Sequence, residues 1–330
     1  MRCFQKFIFS DVFRNRTPSI LRLGLVTARK LNTKLLICMM ISAGSSAYAQ
    51  DTSPDQRAIV HQLGSTTITG NPKNIIALEY SFVEALDALG VVPAGIADDN
   101  QPKRINQLLG KKIEYKSVGT RLEPNLELVS SIAPDLIVAD ELRHSNIYDQ
   151  LGSIAPTVVL NSWEGGYSDI KNSLITIADA LGIKATGEKV IKDHEAAIAE
   201  LAKKVPVDEK RSFLLAVVTP DVLTLHTSSS FSGSVFTAMG LKPALISSKP
   251  LEGGVGLERL ASINPDVLFI ATDAEGTLLD QWRTNPVWLN ISAVRNGKVF
   301  EVDRNQYTRF RGLRTAMIIA RDVVDNLYAK

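Results

Sequence analysis

The stretch Leu126-Glu127-Leu128-Val129-Ser130-Ser131-Ile132-Ala133-Pro134-Asp135-Leu136-Ile137 returns further along the chain as Leu257-Glu258-Arg259-Leu260-Ala261-Ser262-Ile263-Asn264-Pro265-Asp266-Val267-Leu268. Six of the twelve positions are identical, and three of the other six exchange one apolar residue for another. Each copy reads as one physical unit. A short helix opens with an acid in its first turn, where the helix dipole favours negative charge. Apolar residues follow at helical spacing, and proline is expected to stop the helix. After Pro-Asp comes a run without polar alternation, Leu136 to Ala139 or Val267 to Ile270. Such a run predicts a parallel strand buried on both faces. Two copies predict two similar α/β lobes, with a cleft between them suited to a small ligand.

A chain of 330 residues suits two domains rather than one core. Its first 49 residues read as a secretory signal. A basic flank (Arg22, Arg29, Lys30, Lys34) precedes the apolar run Leu35 to Ile41, and Ala47-Tyr48-Ala49 is a small-x-small cleavage site. The length upstream of that run points to a later translation start. Cys38 invites a lipoprotein reading, but Ile37 stands where a small residue is expected, so a soluble product cut after Ala49 is preferred. The signal holds eight of the 37 basic residues and one of the 35 acidic ones, leaving 29 and 34 and a net charge of −5. The mature chain therefore has no global attraction to nucleic acid. Both cysteines, Cys3 and Cys38, also fall in the signal, which leaves no disulfide and no thiol chemistry.

After a polar lead-in with a possible hairpin at His61 to Thr69, strands and helices alternate from Ile75 to Leu160, which implies a mostly parallel sheet. Strands are expected at Ile75 to Leu78, Val91 to Ile96 and Thr157 to Leu160. Two helical patterns then follow with no strand between them, Ile170 to Leu181 and Thr186 to Lys204. The second is long, amphipathic and midway in the mature chain, and reads as a rigid connector. This sets an N-terminal lobe at 50–182, a linker at 183–206 and a C-terminal lobe at 207–330. The second lobe starts at Phe213 to Val218, continues through Val222 to Thr227, and closes on a helix from about Gly312 to Tyr328. Gly253-Gly254-Val255-Gly256 has the wrong spacing to cradle phosphate and is expected to be a flexible turn.

Enzyme signatures are mostly missing: there is no G-x-S-x-G elbow, P-loop or G-x-G-x-x-G. The four histidines have no metal-binding spacing, so no metal site is expected from protein ligands. The informative residues are arginines in loops that follow strands: Arg121, Arg143, and the pair Arg309 and Arg311 interleaved with Tyr307 and Phe310. In doubly wound sheets, ligands bind beyond the carboxyl ends of strands. A guanidinium offers a fixed fork of donors matched to carboxylates. Several together would form a local anion trap. A two-lobed hydrolase or chelatase would instead need a nucleophile beside a base, for which only Ser228 to Ser230 near His226 offer themselves.

A family resemblance rests on Leu78-Glu79-Tyr80-Ser81-Phe82, Gly95 to Asn100, Ser117-Val118-Gly119-Thr120-Arg121 and Arg143-His144. It continues through Leu225-His226-Thr227, Gly256-Leu257-Glu258 and Val302 to Gly312. These segments resemble periplasmic iron–siderophore-binding proteins, and most of all those that bind ferric dicitrate. The resemblance implies a class III substrate-binding-protein fold, with two Rossmann-like lobes and parallel sheets joined by one long α-helix and little hinge closure. It implies a monomer that delivers a ferric chelate to an inner-membrane ABC permease. The ligand expected is ferric dicitrate, gripped by Arg121, Arg143, Arg309 and Arg311, with Tyr80, Ser81, His226 and Tyr307 adding hydrogen bonds or stacking. Iron would be held through the chelator. Trp163 is a weaker candidate, read as packing, and Glu123 would weaken the trap if it faced the cleft. Glu127 and Glu258 would dock on permease arginines. Another ferric siderophore, a hydroxamate or catecholate, is the alternative ligand.

Overall fold

A computed structural model of the chain describes residues 55–272 and 276–329; the signal segment lies outside them. Hairpin strands β1 (Gln56–His61) and β2 (Gly64–Thr69) open the described chain. The first sheet contains β3 (Ile75–Ala77), β4 (Gly95–Ile96), β5 (Lys116–Ser117), β6 (Leu136–Asp140) and β7 (Thr157–Leu160). Its order is β5-β4-β3-β6-β7 and every pair is parallel. The expected strand over Val91 to Ile96 shrinks to Gly95–Ile96, since Pro93 brings no N–H for pairing.

The second sheet is built from β8 (Ser212–Val218), β9 (Leu223–His226), β10 (Lys242–Pro243), β11 (Leu251–Val255), β12 (Val267–Thr272) and β13 (Val299–Asp303). Its path is β11-β9-β8-β12-β13, with β10 also on β8. This sheet is mixed, because β9 runs antiparallel to β8 and β11 antiparallel to β9. The glycines expected to form a turn are a correction: Gly253 and Gly254 lie inside β11. A bulge between Gly253 and Val255, with Gly254 at φ +68°, bends that edge strand.

The repeated unit does the same job in both sheets. Its strand, β6 or β12, lies parallel beside the first strand of the sheet, β3 or β8. The Asp of Pro-Asp ties that neighbour down. Asp135 accepts from the backbone N–H groups of Lys73 and Asn74, and Asp266 accepts from the Ser212 N–H. The helix ends before the proline is reached, at a left-handed residue in the eighth position, Ala133 (φ 50°) or Asn264 (φ 51°). Side chains alternate between two cores as the apolar runs predict. Val267, Phe269 and Ala271 enter one core, Leu268 and Ile270 the other.

Three segments cross between the lobes. The helix Lys184–Ala202 sets Val190 and Ile191 against the first-lobe core and Ile198 and Leu201 in or against the second. The helix Tyr167–Ala180 sends Tyr167 and Ile170 into the second-lobe core and Leu174, Ile177 and Ala178 into the first. The segment before the closing helix (Leu313–Leu327) puts Tyr307 in the second core and Phe310 in the first.

Glu84 locks that last crossing. From the first-lobe helix Tyr80–Ala88 its carboxylate accepts the N–H groups of Arg314 and Thr315 and the Thr315 hydroxyl, capping the closing helix. A Cβ on Gly312 would strike that carboxylate. Burial pushes the Glu84 carboxyl up to about 7 against the pull of these hydrogen bonds. The folded state then holds a proton that the unfolded chain gives up at a lower pH. The stabilising contribution of protonation is complete below the ordinary glutamate range and is lost as pH rises through about 7. Glu84→Gln keeps the shape and an oxygen to accept the Arg314 and Thr315 N–H groups, with its amide N–H turned to the Thr315 hydroxyl oxygen, so urea unfolding across pH 4.5 to 8 is expected to lose this component of the pH dependence. An unchanged profile would place the titration elsewhere.

Candidate ligand-binding cleft

The carboxyl ends of the five parallel strands assemble one half of a site. After β3 comes Glu79, after β4 Asp99, after β5 Arg121, after β6 Arg143 and after β7 Trp163. Glu79 is their hub, with 1% of its surface exposed. Its Oε2 lies 3.2 Å from Arg121 Nη1, and its Oε1 lies 2.8 Å from Arg143 Nε. The second pair is an ion pair without hydrogen-bond alignment, so both of its atoms are buried with no hydrogen bond. Burial pushes the Glu79 carboxyl above the usual range while Arg121, Arg143 and Arg311 pull it back.

Arg121 is committed inside the first lobe. Its Nε and Nη2 donate to Asp99 Oδ2 at 3.0 and 2.8 Å, and its guanidinium lies 3.9 Å from the centre of the Tyr80 ring. Burial lowers its pKa, but Glu79 and Asp99 outweigh that and raise it. The Asp140 N–H donates to His144 Nδ1, which leaves the proton on Nε2 to donate to the Arg121 carbonyl. Asp140 in turn accepts from the backbone N–H groups of Arg143, Ser162 and Trp163. One buried acid thus sets the backbone of both Arg143 and Trp163.

The second half comes from β9 and the segment after β13. Arg121, Arg143, Arg304, Arg309 and Arg311 line a single cavity of about 290 Å³, with Trp163, His226, Thr224 and Thr308. Arg311 is 6% exposed and forms no ion pair with any described residue. Its guanidinium lies 4.9 Å from the Trp163 ring, which also carries Arg143 at 4.1 Å. Burial, opposed by Glu79 and Asp140 and added to by Arg121 and Arg143, brings Arg311 down to about 10, so it keeps its charge at neutral pH. Burial and the neighbouring Arg311 and Arg304 push the His226 imidazole down to about 3, leaving a neutral ring whose Nδ1 is buried and unpartnered.

The structure brings Arg121, Arg143, Arg309, Arg311 and His226 together and corrects three other residues. The Tyr80 hydroxyl turns to the Asp98 carbonyl and Asp99, leaving its ring as the shelf under Arg121. Ser81 is buried against Ser162, 2.6 Å between hydroxyl oxygens. The Tyr307 hydroxyl donates to Asp322 and its ring stacks on Phe269, so it lines only a small neighbouring pocket that shares Trp163, His226 and Arg311 with the arginine cavity. Trp163, read as packing, stands at the centre of the site. Arg304 was missed, although it directly follows β13 and so carried the signal that marked the other arginines. Glu123 lies outside the arginine cavity, in a neighbouring groove. Glu127 and Glu258 are exposed, each in the first turn of its repeat helix. Among the described residues, no cluster of three or more His, Cys, Asp or Glu could hold a metal ion.

The sequence profile of the periplasmic binding proteins matches residues 75–305. The chain belongs to that family. It is 43% identical over 305 residues to the Fe(3+)-citrate-binding protein YfmC of Bacillus subtilis, covering 91% of this chain and 96% of the relative. It is 34% identical over 263 residues to the Fe(3+) dicitrate-binding periplasmic protein FecB of Escherichia coli, covering 79% and 87%. The fold matches Staphylococcus aureus SirA, solved with staphyloferrin B, at a TM-score of 0.72 and 24% identity over 82% of this chain and 98% of SirA. These matches and the two bridged sheets establish the class III substrate-binding-protein fold.

Glu79→Gln keeps the shape of the hub but leaves Arg143 without its ion pair and Arg121 with Asp99 alone. Breaking a buried pair in this way costs about 3–5 kcal/mol. The variant is expected to lose that much in urea unfolding; a loss below about 1 kcal/mol would show that Asp99 and Asp140 suffice to hold the arginines.

Proposed function

We propose that this chain captures an anionic ferric chelate, ferric dicitrate, between its lobes and hands it to an inner-membrane ABC permease. The observation that carries this reading is Arg311, a buried guanidinium with no ion pair among the described residues, facing a cavity with four other arginines. An unpaired buried charge is costly and persists where a ligand supplies the counter-charge. Each carboxylate brought against one guanidinium gains on the order of 4 kcal/mol in Coulomb terms at an effective dielectric near 20, before desolvation is subtracted. The iron-citrate relatives support the choice of anion. Iron arrives as cargo wrapped by citrate oxygens, so the protein contributes donors to carboxylates and no bond to the metal. No chemical step is required of it.

On this reading residues 50–182 and 207–330 are the lobes and 183–206 the segment between them, in a monomer that works outside the cytoplasmic membrane. The signal segment would deliver it there. Glu127 and Glu258, one exposed acid per lobe, would meet basic residues of the two permease subunits. The three crossing segments favour a cleft that closes little.

Calorimetric titration of residues 50–330 with ferric citrate in excess citrate tests this, with iron-free citrate and a ferric hydroxamate as controls. Saturable binding of ferric citrate alone is expected. Arg311→Ala is expected to weaken it at least tenfold, about 1.4 kcal/mol. The same variant should melt no lower than the parent without ligand, because it removes a buried charge that has no ion pair among the described residues. Unchanged affinity in a folded Arg311→Ala protein, or binding of the hydroxamate alone, would overturn the reading.

A further inference from the structure

Helix Pro102–Leu109 belongs to the first lobe, where its Ile105, Leu108 and Leu109 pack in the core. Its exposed face carries Gln107, which reaches across to the second lobe. Gln107 Nε2 donates to Asp303 Oδ1 at 3.2 Å, and Gln107 Oε1 accepts from Asn305 Nδ2 at 3.0 Å. Asn305 Oδ1 in turn accepts from Arg309 Nη1 at 2.8 Å. Arg309 lines the arginine cavity, whereas neither Gln107 nor Asn305 does. A chain of side-chain hydrogen bonds therefore runs from Asp303, at the end of β13, to an arginine of the cleft, and one of its links is supplied by the other lobe.

The two ends of this chain fix its direction. An ionised aspartate only accepts, and a guanidinium only donates. Both amides must then lie head to tail between them, each oxygen turned towards Arg309 and each NH2 towards Asp303. The backbone holds the ends in place. Asp303 Oδ1 also accepts the Gln306 N–H at 2.7 Å, and the Asn305 carbonyl accepts the N–H of Phe310, five residues on, in a single wide turn of a kind that recurs at functional sites. Without Gln107 nothing in the chain stops the Asn305 amide from turning over and setting its NH2 against the guanidinium, donor against donor. We infer that Gln107 is a positioning residue for the ligand site: through Asn305 it aims the Arg309 guanidinium, and it does so only while the lobes stand in their present apposition. A shift of about half an ångström takes the 3.2 Å link beyond hydrogen-bonding range, so even a cleft that moves little registers that movement at Arg309. The inference rests on the ferric-chelate reading and adds to it a residue outside the cavity.

The test is a double-mutant cycle read by calorimetric titration with ferric dicitrate. Gln107→Ala, at an exposed helical position that suits alanine, is expected to weaken binding about threefold or more. In an Arg309→Ala background the same substitution is expected to change affinity less than about 1.5-fold, because the group it acts through is gone. A general loosening of the lobes would weaken binding in both backgrounds. Gln107→Glu and Gln107→Lys add a second discrimination. Glutamate still accepts from Asn305 Nδ2 and keeps the Asn305 oxygen on Arg309, whereas lysine offers only donors and turns that oxygen away. Gln107→Glu is thus expected to bind the anion more tightly than Gln107→Lys, the reverse of what added charge alone gives. No loss with Gln107→Ala, an equal loss in both backgrounds, or tighter binding by Gln107→Lys than by Gln107→Glu would overturn the role of Gln107 and leave the ferric-chelate reading standing. Wild-type protein that binds no ferric dicitrate would refute that reading, and this inference with it.

Discussion

A single buried carboxylate, Glu79, stands between Arg121 and Arg143 at the carboxyl ends of the first-lobe strands, and the cleft depends on it. Without a counter-charge at its floor, five arginines around one cavity would repel one another in a medium that screens poorly. Glu79 and Asp99 take up Arg121 almost entirely, and Asp140 sets the backbone from which Arg143 and Trp163 project. The first lobe is thereby a rigid, largely compensated wall. On the facing side, Arg311 from the segment after β13 is buried with no ion pair among the described residues. The site is thus preorganised on one side and holds a buried guanidinium without an ion pair on the other, which suits capture of an anion without rearrangement.

The segment from Arg304 to Gly312 makes that division possible. Successive residues leave the chain for three surroundings: Tyr307 for the second-lobe core, Phe310 for the first, and Arg309 and Arg311 for the cavity. Phe310 meets the ring of Tyr80, whose other neighbour is Arg121, so the shelf beneath one arginine also anchors the segment that carries others. Glu84 then fixes the start of the closing helix from the opposite lobe. Moving the lobes apart would have to extract an aromatic ring from a core and uncap a helix. Both are costly.

Much of this was legible in the chain. The repeat announced two equivalent strands because an apolar run flanked by Pro-Asp has few other uses, and the arginines were legible because loops after parallel strands converge on one edge. What stayed hidden depends on direction and on distant partners. Glu79 in Leu78-Glu79-Tyr80 looks like any acid opening a helix, and nothing local says that two arginines 42 and 64 positions away share it. The hydroxyls of Tyr80, Ser81 and Tyr307 carry no mark of which way they turn. Trp163 reads as packing until the two guanidiniums on its ring are seen. Glycines 253 and 254 imitate a turn because the bulge that uses them forms only once β9 pairs with β11.

An anion completes a cavity in which the buried Arg311 has no ion pair among the described residues. A crystal structure of the mature chain grown with ferric citrate tests it most directly. Citrate carboxylates are expected within hydrogen-bonding distance of Arg143, Arg309 and Arg311, with no protein side chain bound to iron. A chelate seated away from these arginines, or iron bound directly by a side chain such as His226, would contradict it.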